Sequence, residues 1–127
     1  MLPEEFNPAE TATNLYSEGL DLVNQGLYSD ALGVLLLVLK IQNHYRDIPP
    51  CICKLDIART LLSISLTMKL MSVPSLAEYY CQTALEHLIE FYGSEDIGII
   101  QETQHLLAAY RISHRSRSEE FKYADEA

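Results

Sequence analysis

Apolar or small residues recur at intervals of three and four from Leu15 through Gly19, Leu22 and Val23, the spacing of one helix face. Asn7-Pro8-Ala9-Glu10 precedes them: a capping side chain, a proline suited to the first helical position and an acid in the first turn. A helix is predicted from Pro8 to about Asn24. Gln25-Gly26-Leu27-Tyr28 ends it, because glycine adopts positive φ without steric cost. Ser29-Asp30 caps a second helix that runs to roughly His44, and Asp47-Ile48-Pro49-Pro50 stops it. A third helix spans about Cys51 to Lys69 or Leu70, up to Ser72-Val73-Pro74. Ser75-Leu76-Ala77-Glu78 has the spacing of a capping box and opens a fourth, to Phe91 or Tyr92. Gly93 closes it, and Ser94-Glu95-Asp96 begins a fifth that ends near Ser113. No Asn-Gly or Asp-Gly hairpin turn interrupts the series. The chain therefore reads as all-α: an N-terminal segment 1–7, a helical domain 8–114, and a polar, flexible tail 115–127.

The helices repeat. Leu15, Gly19, Leu22, Gly26, Tyr28, Ala31, Leu35 and Leu39 fall, at an offset of 46, on Leu61, Ser65, Met68, Ser72, Pro74, Ala77, Cys81 and Leu85. Small residues meet small ones and apolar residues apolar ones. Glu18 against Ile64 departs from this. A further offset of 42 sets Leu106, Leu107 and Tyr110 on Ile64, Ser65 and Met68. The stretch Gly19-x-x-Leu22-x-x-x-Gly26-x-Tyr28-x-x-Ala31-x-x-x-Leu35-x-x-Val38-Leu39 resembles the tetratricopeptide repeat. Helix packing explains the pattern: Gly19 and Ala31 are small where two antiparallel helices cross, Tyr28 wedges the turn, and Leu35 with Val38 fills the seam. The offsets exceed the usual repeat of about 34 and are similar to long-helix variants such as those of kinesin light chains. The Gly-x-Tyr-x-x-Ala turn is also similar to that of three-helix microtubule-interacting-and-trafficking domains, which bind helices of membrane-remodelling proteins. Such a domain leaves the fourth and fifth helices unexplained. The resemblance to tetratricopeptide repeats implies about five antiparallel helices in a right-handed stack.

Composition narrows the function. The chain has 127 residues, 48% of them hydrophobic, which suits one domain with a real core. Eighteen acids against nine bases give a net charge of −9, so nucleic acid is not an expected partner. The longest apolar stretch, from Ala31 to Leu39, is too short for a membrane span, and no membrane insertion is expected. The start is acidic and the three cysteines cannot all pair within one chain, so a cytoplasmic, reducing location is expected.

Residues with chemistry are few and scattered. Cys51-x-Cys53 invites a zinc reading, but paired ligands usually stand two residues apart and need a second pair. Only Cys81, His44 and His87 could join them. His87 and Glu90 share a helix face, and Glu102-x-x-His105 has the order of a dimetal bundle ligand pair, without the further inward carboxylates such a bundle needs. Arg111, His114, Arg115 and Arg117 cluster where cations complement a helix C-terminus. No phosphate loop, nucleophile elbow or Ser/His/Asp set occurs. No metal and no cofactor is expected, and a metal-dependent helical enzyme is the weaker alternative to a binding module.

The repeat resemblance implies a concave groove along the first helix of each unit. Its floor would be Tyr16, Leu20 and Val23, then Arg59, Leu62, Leu66 and Lys69, then Gln101, Gln104, Ala108 and Arg111. Such a floor suits an amphipathic or apolar protein segment carrying some acids. The Lys and Asn clamp by which some family members hold chaperone C-termini is not matched, since Tyr16, Leu20 and Ser63 stand in its place. The expected function is therefore a non-enzymatic adaptor, chaperone or assembly subunit. Val34, Leu37 and Ile41 on the second helix, with Ile99 and Tyr110 on the fifth, form a candidate surface for a homodimer or an obligate hetero-complex.

Overall fold

The computed structural model describes residues 7–46, 54–93 and 97–126, with side chains to residue 113. Five helices follow one another: α1 (Pro8–Asn24), α2 (Tyr28–His44), α3 (Lys54–Leu70), α4 (Pro74–Tyr92) and α5 (Gly98–Glu126). Each packs on its neighbour in sequence, and α1 also touches α3. The described residues contain no β-strand. The fold is all-α and repeat-like, as the periodicity predicts.

The two linkers 25–27 and 71–73 are built alike. The Leu27 N–H donates to the Leu22 carbonyl and the Gly26 N–H to the Val23 carbonyl, each at 3.0 Å, with Gly26 at φ +77. Val73 donates to Met68 and Ser72 to Lys69 in the same way, at 2.9 and 3.0 Å. Both exits are thus Schellman motifs that satisfy the last carbonyls of a helix. Ser72, at φ +63, holds a left-handed conformation where the first unit has glycine. This equivalence is the 46-residue repeat in backbone form.

The caps differ from expectation. α1 starts as predicted, with Asn7 Oδ1 accepting from the Glu10 N–H at 3.2 Å. α2 and α4 start earlier than Ser29 and Ser75 suggest. Their N-caps are Leu27 and Val73, with no side-chain cap bond. The reason is the Schellman exit, whose closing residue serves at once as the N-cap of the next helix. α5 also runs past Ser113 to Glu126, through the segment expected as a flexible tail. Residues 114–126 contain no glycine or proline and several strong helix formers, so propensity carries the helix on. The Cys51-x-Cys53 pair and the Ser94-Glu95-Asp96 start lie outside the described residues.

Small residues set the close crossings. A Cβ on Gly19 would stand 2.8 Å from Leu35 Cδ2 and 3.0 Å from Leu35 Cγ. Ala31 and Leu35 opposite are fully buried. In the second unit Ser65 takes the place of Gly19, and its hydroxyl donates to the Ala77 carbonyl at 2.7 Å inside the α3–α4 seam. Ala77 is fully buried, like its counterpart Ala31.

α3 is the central helix and uses three adjacent stripes. Ile57, Thr60, Ile64 and Thr67 are buried on the side of α1 and α2. Ala58, Leu61, Ser65 and Met68 are buried on the side of α4. Arg59, Leu62, Leu66 and Lys69 are left open or half-open. The buried threonines satisfy their hydroxyls locally: Thr67 donates to the Ser63 carbonyl at 2.8 Å and Thr103 to the Ile99 carbonyl at 2.7 Å. Gln42 is the exception. Its Oε1 is buried and accepts no hydrogen bond among the described residues.

Two substitutions test this packing. Gly19→Ala should destabilise by roughly 1 kcal/mol net, because overpacking against Leu35 outweighs the gain in helix propensity of about 1 kcal/mol. A stabilised variant in thermal melts would show that the crossing is looser. Gln42→Leu places at position 42 the residue type that the second unit has at Leu88, which is fully buried. It should raise stability by about 1 kcal/mol by removing the unpaired acceptor. Denaturant midpoints at constant slope measure it.

Candidate functional site

α5 decides which surfaces remain for binding. Its buried residues are Ile100, Thr103, Leu107 and Tyr110. They match the first buried stripe of α3 at an offset of 43, with Ile57 on Ile100 and Thr67 on Tyr110. The expected offset of 42 is therefore one residue short. One residue turns a helix by about 100°, and the correction moves the open face of α5 from Gln104 and Arg111 to Glu102, His105, Ala109 and Ile112.

Arg111 confirms the rotation. Its Nε donates to Glu78 Oε1 at 3.2 Å and its other guanidinium nitrogen to Gln82 Oε1 at 3.0 Å, both on α4. It was expected in the groove and instead ties α5 to the flank of α4. Gln104 lies on that side too, exposed. Gln101, Gln104, Ala108 and Arg111 form the face on which a sixth helix would dock, and it is largely polar. Tyr110 was expected on an assembly surface. It is only 3% exposed, because α5 presents it to α3 and α4. Ile99 is half-buried against the same core.

The remaining expected residues sit as follows. Tyr16 on α1 reaches α3, where its hydroxyl pairs with Ser63 Oγ at 2.8 Å. Leu20 and Val23 are half-buried further along α1. Leu62 is half-buried against the core. Leu66 is 47% exposed and Leu70, one turn on, is 44% exposed. Lys69 Nζ lies 5.5 Å from the centre of the Tyr110 ring, a cation–π contact that links α3 to α5. On α2, Val34 packs beside Gly19, Ile41 is half-buried, and Leu37 is 46% exposed.

The open stripe of α3 thus runs Arg59, Leu62, Leu66, Lys69: cation, two leucines, cation. A cavity stands at each end. One of about 140 Å³ holds Arg59 with Tyr16, Asp56 and Gln42. The other, about 210 Å³, holds Lys69 with Pro74, Tyr110 and Ser113. These four residues were named from the sequence as a groove floor, and the structure leaves them open or half-open. Sequence reasoning missed Leu70 and Leu106, both exposed on or beside this stripe, because Leu106 was assigned to the core by the shorter offset.

Potential reactive groups are engaged in structure. Burial pushes the Cys81 thiol up to about 11, against the lowering effects of Arg111 and Ser65. Its Sγ donates to the Thr103 carbonyl at 3.7 Å. Burial also raises Tyr110, with Ser65 opposing. The hydrogen bond from Lys54 holds the Glu90 carboxyl below its usual range. His87 Nδ1 faces the Thr83 carbonyl at 2.9 Å. Among the described residues no group of three His, Cys, Asp or Glu could hold a metal, and no helix is long and apolar enough to cross a membrane. Comparison with protein-family models, with curated proteins and with solved structures returns no match.

The raised Cys81 and Tyr110 groups have a consequence for pH. The fold favours the protonated form of both; for Cys81 that contribution is fully present below about pH 9, the ordinary value for a thiol, and is lost as pH rises through about 11. Stability should therefore fall across that window, and Cys81→Ala should flatten the fall. Denaturant melts at a series of alkaline pH values measure this. An unchanged slope would remove Cys81 from the account.

Proposed function

We propose that this chain is a non-enzymatic interaction module, similar in architecture to tetratricopeptide repeats, that binds a protein segment along the face of α1, α3 and α5. One observation carries the reading. The central helix spends two stripes on the core and leaves a third, Arg59-Leu62-Leu66-Lys69, facing outward with a cavity at each end. Exposed leucines between two cations suit an apolar or amphipathic segment with acids near its ends. About 15 Å separate residues 59 and 69 along the axis, from a rise of about 1.5 Å per residue. A helical ligand of some three turns would span them.

The polar face at the end of α5 favours a hetero-partner on the α3 stripe over continued stacking or self-association through α5. The three-helix trafficking-domain reading does not account for α4 and α5, which contribute Leu88, Ile100 and Leu107 to one core. A cytoplasmic setting fits the odd cysteine count and the reduced Cys81.

Leu66→Glu tests the proposal. Leu66 is half-exposed, so the variant should fold with an unchanged circular dichroism spectrum. A bound segment would bury the new charge at a cost of several kcal/mol. Partners captured by the wild type and identified by mass spectrometry should be lost. Undiminished capture by a folded Leu66→Glu protein would refute this face as the site.

A further inference from the structure

The cavity at the Arg59 end of the α3 stripe lies where three helices meet. α1 lines it with Ala12, Thr13 and Tyr16, α3 with Asp56, Arg59 and Thr60, and α2 with Gln42 alone. Gln42 is only 6% exposed. Its Oε1 is buried, and its amide forms no hydrogen bond among the described residues. The fold does not need an amide at this place, since the second unit has the fully buried Leu88 there. A buried acceptor without a partner is costly, and the cavity is the space from which a donor can reach it.

The hydroxyls on the wall are not that donor. Thr13 gives its one hydrogen to the Ala9 carbonyl at 2.8 Å, and Thr60 gives its own to the Asp56 carbonyl at 3.2 Å. Ser63 donates to the Arg59 carbonyl at 3.1 Å, so in its 2.8 Å pair with Tyr16 the tyrosine is the donor. The oxygens of Thr13, Tyr16 and Thr60 therefore have only lone pairs left, and the Asp56 carboxylate also only accepts. The spare donors are Gln42 Nε2 and the Arg59 guanidinium, which makes no hydrogen bond or ion pair among the described residues. The wall is rich in acceptors and carries one negative and one positive side chain.

An occupant must bring several hydrogens and one acceptor without a net charge. A primary carboxamide meets all three demands. Its two N–H groups donate, its carbonyl accepts, and its stem can lie on Ala12. A carboxylate brings no hydrogen and sets its charge beside Asp56. An ammonium brings no acceptor and sets its charge beside Arg59. A secondary amide has one hydrogen only. Water forms both kinds of bond, and a ligand gains by displacing it when it reproduces them. The cavity, about 140 Å³, has room for a group larger than one water. We propose that it binds the primary carboxamide of an asparagine or glutamine side chain on the partner segment, with the amide N–H groups donating to Gln42 Oε1 and the carbonyl accepting from Arg59. The segment as carrier rests on the α3-stripe reading, whereas the choice of group rests on the cavity alone.

Butyramide is the probe, titrated into isotope-labelled full-length protein and followed by nuclear magnetic resonance. The side-chain amide signals of Gln42 and the backbone signals of Thr13 and Thr60 should move and saturate. Butyrate, butylammonium and N-methylbutyramide should each bind about tenfold more weakly or worse, for loss of at least one hydrogen bond. Gln42→Leu should abolish the saturable shift at Thr13 and Thr60 while raising the denaturant midpoint, so lost binding cannot be lost folding. This titration needs no partner, and its outcome is separate from that of Leu66→Glu. Saturating butyramide should also release partners held by the wild type. No saturable shift, equal binding of butyrate or butylammonium, or undiminished butyramide binding to folded Gln42→Leu protein would each overturn the proposal. So would partners that stay bound at saturating butyramide.

Discussion

Everything in this molecule depends on how closely the two helices of each unit cross. At the α1–α2 crossing Gly19 has no room for a methyl group against Leu35. At the α3–α4 crossing the same position holds Ser65, whose hydroxyl is bonded into the seam through the Ala77 carbonyl. A larger residue at either place would push the pair apart and lift Leu35 or Cys81, both fully buried, out of contact. Dense packing of this kind does not deform smoothly, so the crossing distance fixes the helix register on both sides of it. The two units solve one geometric problem with different chemistry, one by absence of a side chain and the other by satisfying a polar one.

From that constraint follows the division of labour on α3. A helix held tightly on α4 and also packed on α2 has only about a third of its circumference left. What remains is a single stripe, whose residues are open or half-open. Leu62 packs partly against the core and Lys69 lies over the Tyr110 ring, but Leu66, 47% exposed, stays largely in water between the two cations. Their presence on a chain of net charge −9 is informative for that reason. A large apolar residue left half-exposed between cations has no role in the isolated fold, whereas the exposed Glu10, Glu18 and Asp21 of α1 are an ordinary solvated face.

Much of the fold was legible in the sequence, for reasons tied to particular residues. Gly26 and Ser72 could be aligned because both close a helix, and the structure gives them the same left-handed backbone. The α3 stripe was legible because Leu62, Leu66, Arg59 and Lys69 follow from the register of Gly19 against Ser65. The caps of α2 and α4 were misread because Ser29 and Ser75 carry good capping side chains. A three-residue linker closed by a Schellman turn leaves them no vacant cap position. α5 was misread because its apolar residues come in neighbouring pairs, Ile99-Ile100 and Leu106-Leu107. Periodicity alone fits either member of each pair. Thr103 decides between the two faces. It is buried, with its hydroxyl returned to the Ile99 carbonyl.

That one-residue rotation of α5 changes what kind of object the molecule is. In the shorter register the array ends on an apolar helix that needs a cover. In the observed register Ile100, Leu107 and Tyr110 are consumed by α3 and α4, and the next docking face is Gln101, Gln104, Ala108 and an Arg111 already tied to Glu78 and Gln82. The outward side of α1 is polar as well, with Asn14, Ser17, Glu18 and Asp21 exposed. Among the described residues the outward faces of α1 and α5 are thus both largely polar. Much of the exposed apolar surface then lies on the two broad sides, at Leu66, Leu70 and Leu106 on one and at Leu36, Leu76 and Tyr79 on α2 and α4.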